Sequence, residues 1–171
     1  MPTRILLVCT GNTCRSTMAE ALFRKHLAQR LGAGADQVEV LSAGTDAVEG
    51  DLASPQAIEV MRERALDLTH HRSHPVTESL LSQADLVLTM TGRHRDRLVE
   101  MLPEAREKIH TLRAYLKELG GAPPGDSEDI SDPFGGDTEL YRQTADQLDR
   151  LIRELVDRLF PAGEAQEGEK R

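Results

Sequence analysis

A short segment near the amino terminus combines a cysteine, a glycine and an arginine in an order that suits phosphate chemistry. Residues 9–16 read Cys-Thr-Gly-Asn-Thr-Cys-Arg-Ser. If this segment is a loop that ends at a helix, several backbone N–H groups point into one concavity, and the helix dipole adds positive potential. Arg15 can hold two phosphoryl oxygens with its planar guanidinium. The same surroundings favour the thiolate of Cys9 and make it nucleophilic.

The remaining residues of the segment are expected to form the wall of a phosphate site. Gly11 is expected to supply a backbone turn that other residues resist. Neither the nucleotide-binding pattern Gly-x4-Gly-Lys-Ser/Thr nor the dinucleotide-binding pattern Gly-x-Gly-x-x-Gly is present, which leaves the cysteine–arginine interpretation. The predicted phosphate-binding residues are Thr10, Gly11, Asn12, Thr13, Cys14 and Arg15, with Asn12 and Ser16 as internal braces or donors to the thiolate.

The apolar pattern places this segment between a strand and a helix. Residues 3–8 form a short, nearly continuous apolar run, which is typical of a buried strand. From Ser16 to Leu31 apolar residues recur at helical spacing, and Gly32 ends the helix. Further strands are predicted at 38–41, 85–90 and 109–112, and further helices at 55–66, 93–102 and 138–160.

Alternating strands and helices predict an α/β fold with a parallel sheet covered on both sides. Such sheets bind ligands beyond the carboxyl ends of their strands, where the Cys9 segment lies. The length of 171 residues predicts a single domain over residues 1–160. Residues 161–171 are expected to be a disordered tail. The stretch 120–138, rich in Gly, Pro and Asp, is long enough to be a functional loop.

Composition and charge exclude several classes of protein. The chain has 29 acidic and 21 basic residues, a net charge of −8 that argues against a nucleic-acid-binding surface. It lacks an apolar run near the ~18 residues of a membrane span, and a signal peptide is not evident, so we expect a cytoplasmic protein without membrane contact. His70 and His74 are four residues apart, but no convincing ligand set completes them, so no metal or other cofactor is expected.

The two cysteines are too few for a disulfide framework, and they allow two interpretations of Cys14. Cys14 forms a reversible disulfide with Cys9 that protects the nucleophile under oxidation, or it is a buried packing residue. Both interpretations stay open at the level of sequence.

Several motifs, in order, resemble the low-molecular-weight protein tyrosine phosphatase family over about residues 3–160. The resemblance implies a four-stranded, flavodoxin-like three-layer α/β fold. It implies that Cys9 is the nucleophile, that Arg15 binds phosphate and that Asp132 is the general acid. It also implies bracing roles for Asn12, Ser16, Ser42 and His71. The motifs are Val8 to Ser16, Met18 to Ala21, Ser42 to Thr45, Ala84 to Leu88 and Asp132 to Gly136.

The residues alone do not identify which carboxylic acid would protonate the leaving group. The leaving group of a phosphomonoester needs a proton, so an acid must stand opposite the nucleophile. Residues 120–138 offer Asp126, Glu128 and Asp129 as rivals of Asp132. The proline after Asp132 restricts its backbone, but the resemblance alone selects this residue.

Two departures from the tyrosine-specific members of the family bear on the substrate. Thr13 stands where they usually carry a branched aliphatic residue. Phe134, which we expect to contact the substrate, is followed by two glycines where they carry a second aromatic. A phenyl ring would lose stacking partners, whereas a phosphoguanidino group would gain from the Thr13 hydroxyl and the Asp132 carboxylate. The motifs resemble the bacterial protein arginine phosphatase branch. We therefore expect hydrolysis of protein phosphoarginine through a phosphocysteine intermediate, with protein phosphotyrosine as the alternative.

Two other functions fit the sequence less well. Arsenate reductases share the implied fold and loop, but the thioredoxin-coupled kind needs cysteines beyond Cys14, and this chain has none. A module that only binds phosphoproteins needs neither the Cys9 nucleophile nor the Asp132 acid. The expected partners are phosphorylated proteins, and the sequence does not indicate an oligomeric state.

Overall fold

A computed structural model describes residues 2–161 and contains a four-stranded parallel sheet in the order β2-β1-β3-β4. Short 3-10 helices occupy Gly32–Gln37 and Pro103–Lys108. The strands are β1 (Arg4–Cys9), β2 (Glu39–Gly44), β3 (Leu86–Thr89) and β4 (Ile109–Thr111). The helices are α1 (Arg15–Leu31), α2 (Pro55–Arg62), α3 (Glu78–Gln83), α4 (Gly92–Met101), α5 (Leu112–Glu118) and α6 (Thr138–Leu159).

Strand β1 lies inside the sheet because both of its faces are apolar. Ile5 and Leu7 pack in one hydrophobic cluster with residues of α1, α2, α5 and α6. Leu6 and Val8 pack in a second cluster with residues of α3 and α4 on the other face. Helices therefore cover both faces, and the predicted flavodoxin-like three-layer α/β fold is confirmed.

The strand register brings the predicted site to one edge of the sheet. Cys9 pairs with Gly44 of β2, and Val8 pairs with Thr89 of β3. The carboxyl ends of these strands lie together, where an α/β sheet binds its ligands. The stretch 120–137 returns to this edge, since the N–H of Ile130 donates a hydrogen bond to the carbonyl of Met90 at 2.8 Å.

Some predicted boundaries differ from the observed ones. The helix predicted at 55–66 ends at Arg62, because the chain turns through Ala65 with φ of 62°. Strand β2 extends to Gly44, three residues beyond the predicted end. Helices α3 and α5 were not predicted, since six and seven residues are too short to display a helical period.

Two expectations concern the chain ends and membranes. Apart from Pro161, the predicted disordered tail lies outside the described residues. Within residues 2–161, no helix is both long enough and apolar enough to cross a bilayer.

Candidate active site

A cavity of about 210 Å³ lies beyond the carboxyl end of β1. Cys9 ends this strand and Arg15 begins α1, so the phosphate loop, residues 9–16, runs from strand to helix as predicted. Eight residues line the cavity, and each was predicted to be catalytic or to bind the substrate: Cys9, Thr10, Gly11, Thr13, Cys14, Arg15, Asp132 and Phe134.

The sulfur of Cys9 has two hydrogen-bond partners within the phosphate loop. The Ser16 hydroxyl lies 2.9 Å from it, and the backbone N–H of Asn12 donates to it at 3.3 Å. Cys9 is buried at the amino end of α1, where the helix dipole favours negative charge. The two hydrogen-bond partners and the amino end of α1 therefore all face the sulfur of Cys9.

Asn12 is a fully buried residue of the phosphate loop, and it does not line the cavity. Its side-chain N–H groups donate to the hydroxyls of Ser16 at 2.8 Å and Ser42 at 2.9 Å. Its side-chain oxygen accepts from the N–H of His74 at 2.9 Å, and its carbonyl lies 2.6 Å from Nε2 of His71. The structure thus brings the predicted bracing residues together, and it gives Asn12 a bracing rather than a substrate-contacting position.

The backbone turn in the loop does not depend on Gly11 as expected. The left-handed residue is Asn12, with φ of 57°, a conformation that Asn tolerates better than most residues. A Cβ at Gly11 would make only an ordinary contact, 3.6 Å from the Thr13 hydroxyl. A Cβ at Gly44 would lie 2.4 Å from the carbonyl oxygen of Thr10. The essential close approach is therefore at Gly44, on the neighbouring strand.

The guanidinium of Arg15 connects the phosphate loop with the acid loop, residues 122–136. Its Nη1 donates to the carbonyl of Ile130 at 2.8 Å, and its Nη2 lies 3.3 Å from a carboxylate oxygen of Asp132. Its buried Nε has no hydrogen-bond partner among the described residues. This nitrogen is available to an oxyanion in the cavity that Arg15 lines.

His94 is a buried neighbour of the phosphate loop that the sequence analysis did not single out. Its Nε2 lies 2.8 Å from the hydroxyl of Thr10. Burial, reinforced by the positive charge of Arg15, lowers the pKa of His94 to about 4, so the ring is neutral near pH 7. A lone histidine in a polar helical stretch gave no signal that could have identified it.

Cys14 contacts a second residue that sequence reasoning missed. The hydroxyl of Tyr141 in α6 lies 3.2 Å from the Cys14 sulfur, and the hydroxyl of Ser54 lies 3.5 Å from it. Burial, and then the bond to Cys14, raises the pKa of Tyr141 to about 12. Sequence analysis predicted the helix at 138–160 but did not single out Tyr141. Both cysteines are free thiols.

None of the three carboxylates that rivalled Asp132 lines the cavity, and two of them are bound elsewhere. Asp129 accepts a hydrogen bond from the N–H of Gly92 at 2.9 Å, and Glu128 accepts one from Arg95 at 2.7 Å. Among the described residues that line the cavity, Asp132 is the one that carries a carboxylate.

The histidines on the other side of the phosphate loop pair with separate carboxylates. His70 lies 3.7 Å from Asp67, and His74 lies 2.8 Å from Glu49. Over residues 2–161, no three potential ligands converge on a point that could hold a metal ion.

Comparisons with known sequences identify similar phosphatases. The chain matches the family model described as low molecular weight phosphotyrosine protein phosphatase over residues 4–164. It is 43% identical over 155 residues to a protein-arginine-phosphatase of Bacillus subtilis, which covers 91% of this chain and 95% of that protein. It is 37% identical over 156 residues to the low molecular weight protein-tyrosine-phosphatase PtpB of Staphylococcus haemolyticus, with 89% and 96% covered.

A solved structure resembles the fold over nearly the whole chain. It is a cysteine-to-serine mutant of the YwlE arginine phosphatase with a phosphorylated active-site serine. The TM-score is 0.81 at 41% identity, and the match covers 95% of this chain and 99% of that one.

Proposed function

Because the chain belongs to the low molecular weight phosphotyrosine protein phosphatase family, we propose that it hydrolyses phosphorylated side chains of proteins, with phosphoarginine as the preferred substrate. The observation that carries this proposal is a single cavity lined by a cysteine thiol, an arginine and one carboxylic acid. These are the groups that a phosphocysteine mechanism needs, as nucleophile, phosphate ligand and proton donor.

In the first step the thiolate of Cys9 attacks phosphorus, an S–P bond forms and the P–N bond of phosphoarginine breaks. Asp132 gives its proton to the departing nitrogen, so the guanidine does not leave as an anion. In the second step water attacks the phosphocysteine and the S–P bond breaks. The carboxylate of Asp132 takes the proton of the water, and inorganic phosphate and the thiolate are released.

The phosphate loop supplies the electrostatic part of this reaction. Phosphoryl transfer spreads negative charge over three oxygens, so catalysis depends mainly on positioned donors. Arg15 lines the cavity together with residues of the loop, and its Nε has no hydrogen-bond partner among the described residues. Ser16, 2.9 Å from the Cys9 sulfur, donates a hydrogen bond to the thiolate before attack and again when the thiolate leaves.

The preference for phosphoarginine is supported by the polarity of the cavity wall. Thr13 places a hydroxyl among the lining residues, and Asp132 adds a carboxylate. Both accept hydrogen bonds, which a guanidino group donates and a phenyl ring does not. The Bacillus subtilis relative at 43% identity, named a protein-arginine-phosphatase, supports the same choice.

Phosphotyrosine is the second candidate, and one observation favours it. Phe134 lines the cavity and is 77% exposed, so its ring is free to stack on a phenyl group. The relative PtpB, named a protein-tyrosine-phosphatase, is 37% identical to this chain.

A pair of peptides that differ only in phosphoarginine or phosphotyrosine decides between these substrates. We expect a higher kcat/KM on the phosphoarginine peptide. Thr13→Ile removes the hydroxyl and should lower that kcat/KM by about tenfold or more, because a donor of the substrate is left unpaired. Thr13→Ser keeps the hydroxyl and is the matched control. A clear preference of the unaltered protein for phosphotyrosine would exclude the arginine proposal.

We further propose that the substrates are cytoplasmic proteins rather than nucleic acids. The net charge of −8 supports this choice, since a phosphate backbone is bound by basic surfaces. Two free thiols in the cavity suit a reducing compartment.

A further inference from the structure

The acid loop is attached to the rest of the protein mainly by side chains, among them Arg113, which donates to the carbonyl of Ser127 at 2.6 Å. Within residues 2–161 it makes one backbone–backbone hydrogen bond to another segment, from the N–H of Ile130 to the carbonyl of Met90 at 2.8 Å. Most of its residues are exposed, Asp132 among them. Its position over the cavity must therefore depend largely on side chains.

One of these side chains is the carboxylate of Asp129. It accepts a hydrogen bond from the N–H of Gly92 at 2.9 Å. Gly92 is the first residue of the ten-residue helix α4, so its N–H has no partner within the helix. A carboxylate at this end is also favoured by the helix dipole. Asp129 therefore attaches the acid loop to α4 only three residues before Asp132.

The same turn of α4 contacts the phosphate loop. His94, two residues after Gly92, lies 2.8 Å from the hydroxyl of Thr10. One helical turn thus holds both halves of the cavity, the phosphate loop through His94 and the acid loop through Asp129. Arg15 connects the two loops directly, because it belongs to the phosphate loop and donates to the carbonyl of Ile130 in the acid loop at 2.8 Å.

We propose that Asp129 is a positioning residue that holds the Asp132 carboxyl over the Cys9 thiolate by binding the amino end of α4. This inference rests on the proposed function, since it requires Asp132 to be the proton donor. Asp129 has no direct part in proton transfer: its carboxylate is bound to Gly92 and it does not line the cavity.

The test compares Asp129→Ala with Asp129→Asn on two aryl phosphates. Asparagine keeps an oxygen that accepts from the Gly92 N–H, whereas alanine removes it. Phenyl phosphate needs a protonated leaving group, and p-nitrophenyl phosphate depends on it much less. General acid catalysis accelerates such reactions by ~100-fold or more, and a misplaced acid loses part of this acceleration. We therefore expect Asp129→Ala to lower kcat/KM on phenyl phosphate by about tenfold. The loss on p-nitrophenyl phosphate should be smaller, and Asp129→Asn should retain most activity on both substrates.

A double-mutant cycle with Asp132→Asn shows whether Asp129 acts through the acid. Once Asp132 can no longer give a proton, its position is unimportant. Asp129→Ala should therefore cause less than about a twofold further loss in the Asp132→Asn background.

Asp85 provides a matched control at the opposite edge of the sheet. It is also exposed, and its carboxylate accepts from the backbone N–H groups of Thr3 at 3.0 Å and Arg4 at 2.9 Å. Asp85→Ala is expected to lower the melting temperature without changing the ratio of kcat/KM for the two substrates. Thermal melts of all variants establish that each is folded, and Asp129→Asn keeps the test decisive if the alanine variant is not.

The possible failures are distinguishable. If Asp132→Asn leaves kcat/KM on phenyl phosphate unchanged, the acid assignment of the proposed function is wrong, and the inference fails with it. If Asp132→Asn is impaired but Asp129→Ala costs nothing, or costs the same in both backgrounds, only the positioning role is excluded. If Asp129→Asn is as impaired as Asp132→Asn, the carboxylate of Asp129 is itself required and the inference is overturned.

Discussion

The phosphate loop and the acid loop meet at one cavity, but the protein holds them in different ways. The phosphate loop surrounds a fully buried asparagine, Asn12, which bonds to Ser16, Ser42 and the backbone of His74. Backbone bonds also tie this loop to its neighbours, since Thr45 and Asp46 donate to its first two carbonyls at 2.9 Å. The acid loop is mostly exposed, and it is held mainly by the side chains of Arg15, Arg95 and Arg113 and by the bond from Gly92 to Asp129.

This difference corresponds to the different chemical tasks of the two loops. A ring of donors stabilises a transition state best when it needs no reorganisation during the reaction, so rigidity favours the phosphate loop. A proton donor must reach leaving groups of a protein substrate that enters and departs, and exposed segments open at lower cost than buried ones. We therefore expect substitutions in the phosphate loop to affect both chemistry and stability, and those in the acid loop to affect mainly chemistry.

The largest effect should come from Cys9, the proposed nucleophile, in the phosphate loop. Cys9→Ser replaces a thiolate by a hydroxyl, a poorer nucleophile at neutral pH, so kcat should fall by about 10⁴-fold or more. The overall structure and the acid loop are unchanged by so small a replacement, and phosphate binding should persist. Phosphate release under single-turnover conditions and calorimetric titration with inorganic phosphate measure the two quantities. Hydrolysis within tenfold of the unaltered enzyme would exclude the phosphocysteine mechanism.

Asn12→Ala tests the internal bracing of the phosphate loop. It removes the bonds to Ser16, Ser42 and the N–H of His74, and it places alanine at a φ of 57°. Unpaired buried groups and an unfavourable backbone conformation should lower the free energy of unfolding by about 3 kcal/mol. Urea denaturation measures this loss, and kcat/KM should fall with it.

Ser127→Ala is the matched deletion in the acid loop. Ser127 is exposed and accepts a hydrogen bond from the N–H of Asp129 at 3.0 Å. Because water replaces this bond, the free energy of unfolding should change by less than about 0.5 kcal/mol. Equal losses for Asn12→Ala and Ser127→Ala would contradict the distinction between the two loops.

The same distinction explains what could be predicted from the sequence. The residues of the phosphate loop are adjacent in the sequence. Eight residues between an apolar strand and an amphipathic helix were therefore enough to predict where the loop lies and which of its residues surround Cys9. The acid lies more than a hundred residues further on, among several similar carboxylates. Only the resemblance to the family, which the family match confirms, selected Asp132. The role of Asp132 and the roles of the other site residues remain predictions.

Other contacts gave no local signal at all. His94 and Tyr141 reach the phosphate loop from α4 and α6, and their positions follow from tertiary packing rather than from neighbouring residues. Gly44 matters because β2 lies against the loop, which depends on strand register. The expected turn at Gly11 was placed one residue too early, since Asn12 also tolerates the left-handed region.

His94 gives the most specific expected effect, because it approaches the phosphate loop from the helix that also holds the acid loop. Its pKa of about 4 in the folded protein lies below the value of about 6.5 expected in the unfolded chain. Between these values the unfolded state binds more protons. The free energy of unfolding therefore rises with pH through this window, and the contribution of His94 is constant above about pH 6.5 and below about pH 4.

His94→Gln should remove this slope, since the amide keeps a polar partner for Thr10 but does not titrate. Between about pH 4.5 and about pH 7.5, the stability gain of the unaltered protein should exceed that of the variant by about 2 kcal/mol. Carboxylates contribute equally to both proteins, so the difference between urea denaturation curves isolates the histidine. If the free energy of unfolding changes with pH in the same way in both proteins, His94 titrates normally. This side of the phosphate loop would then open to water as readily as the acid loop does.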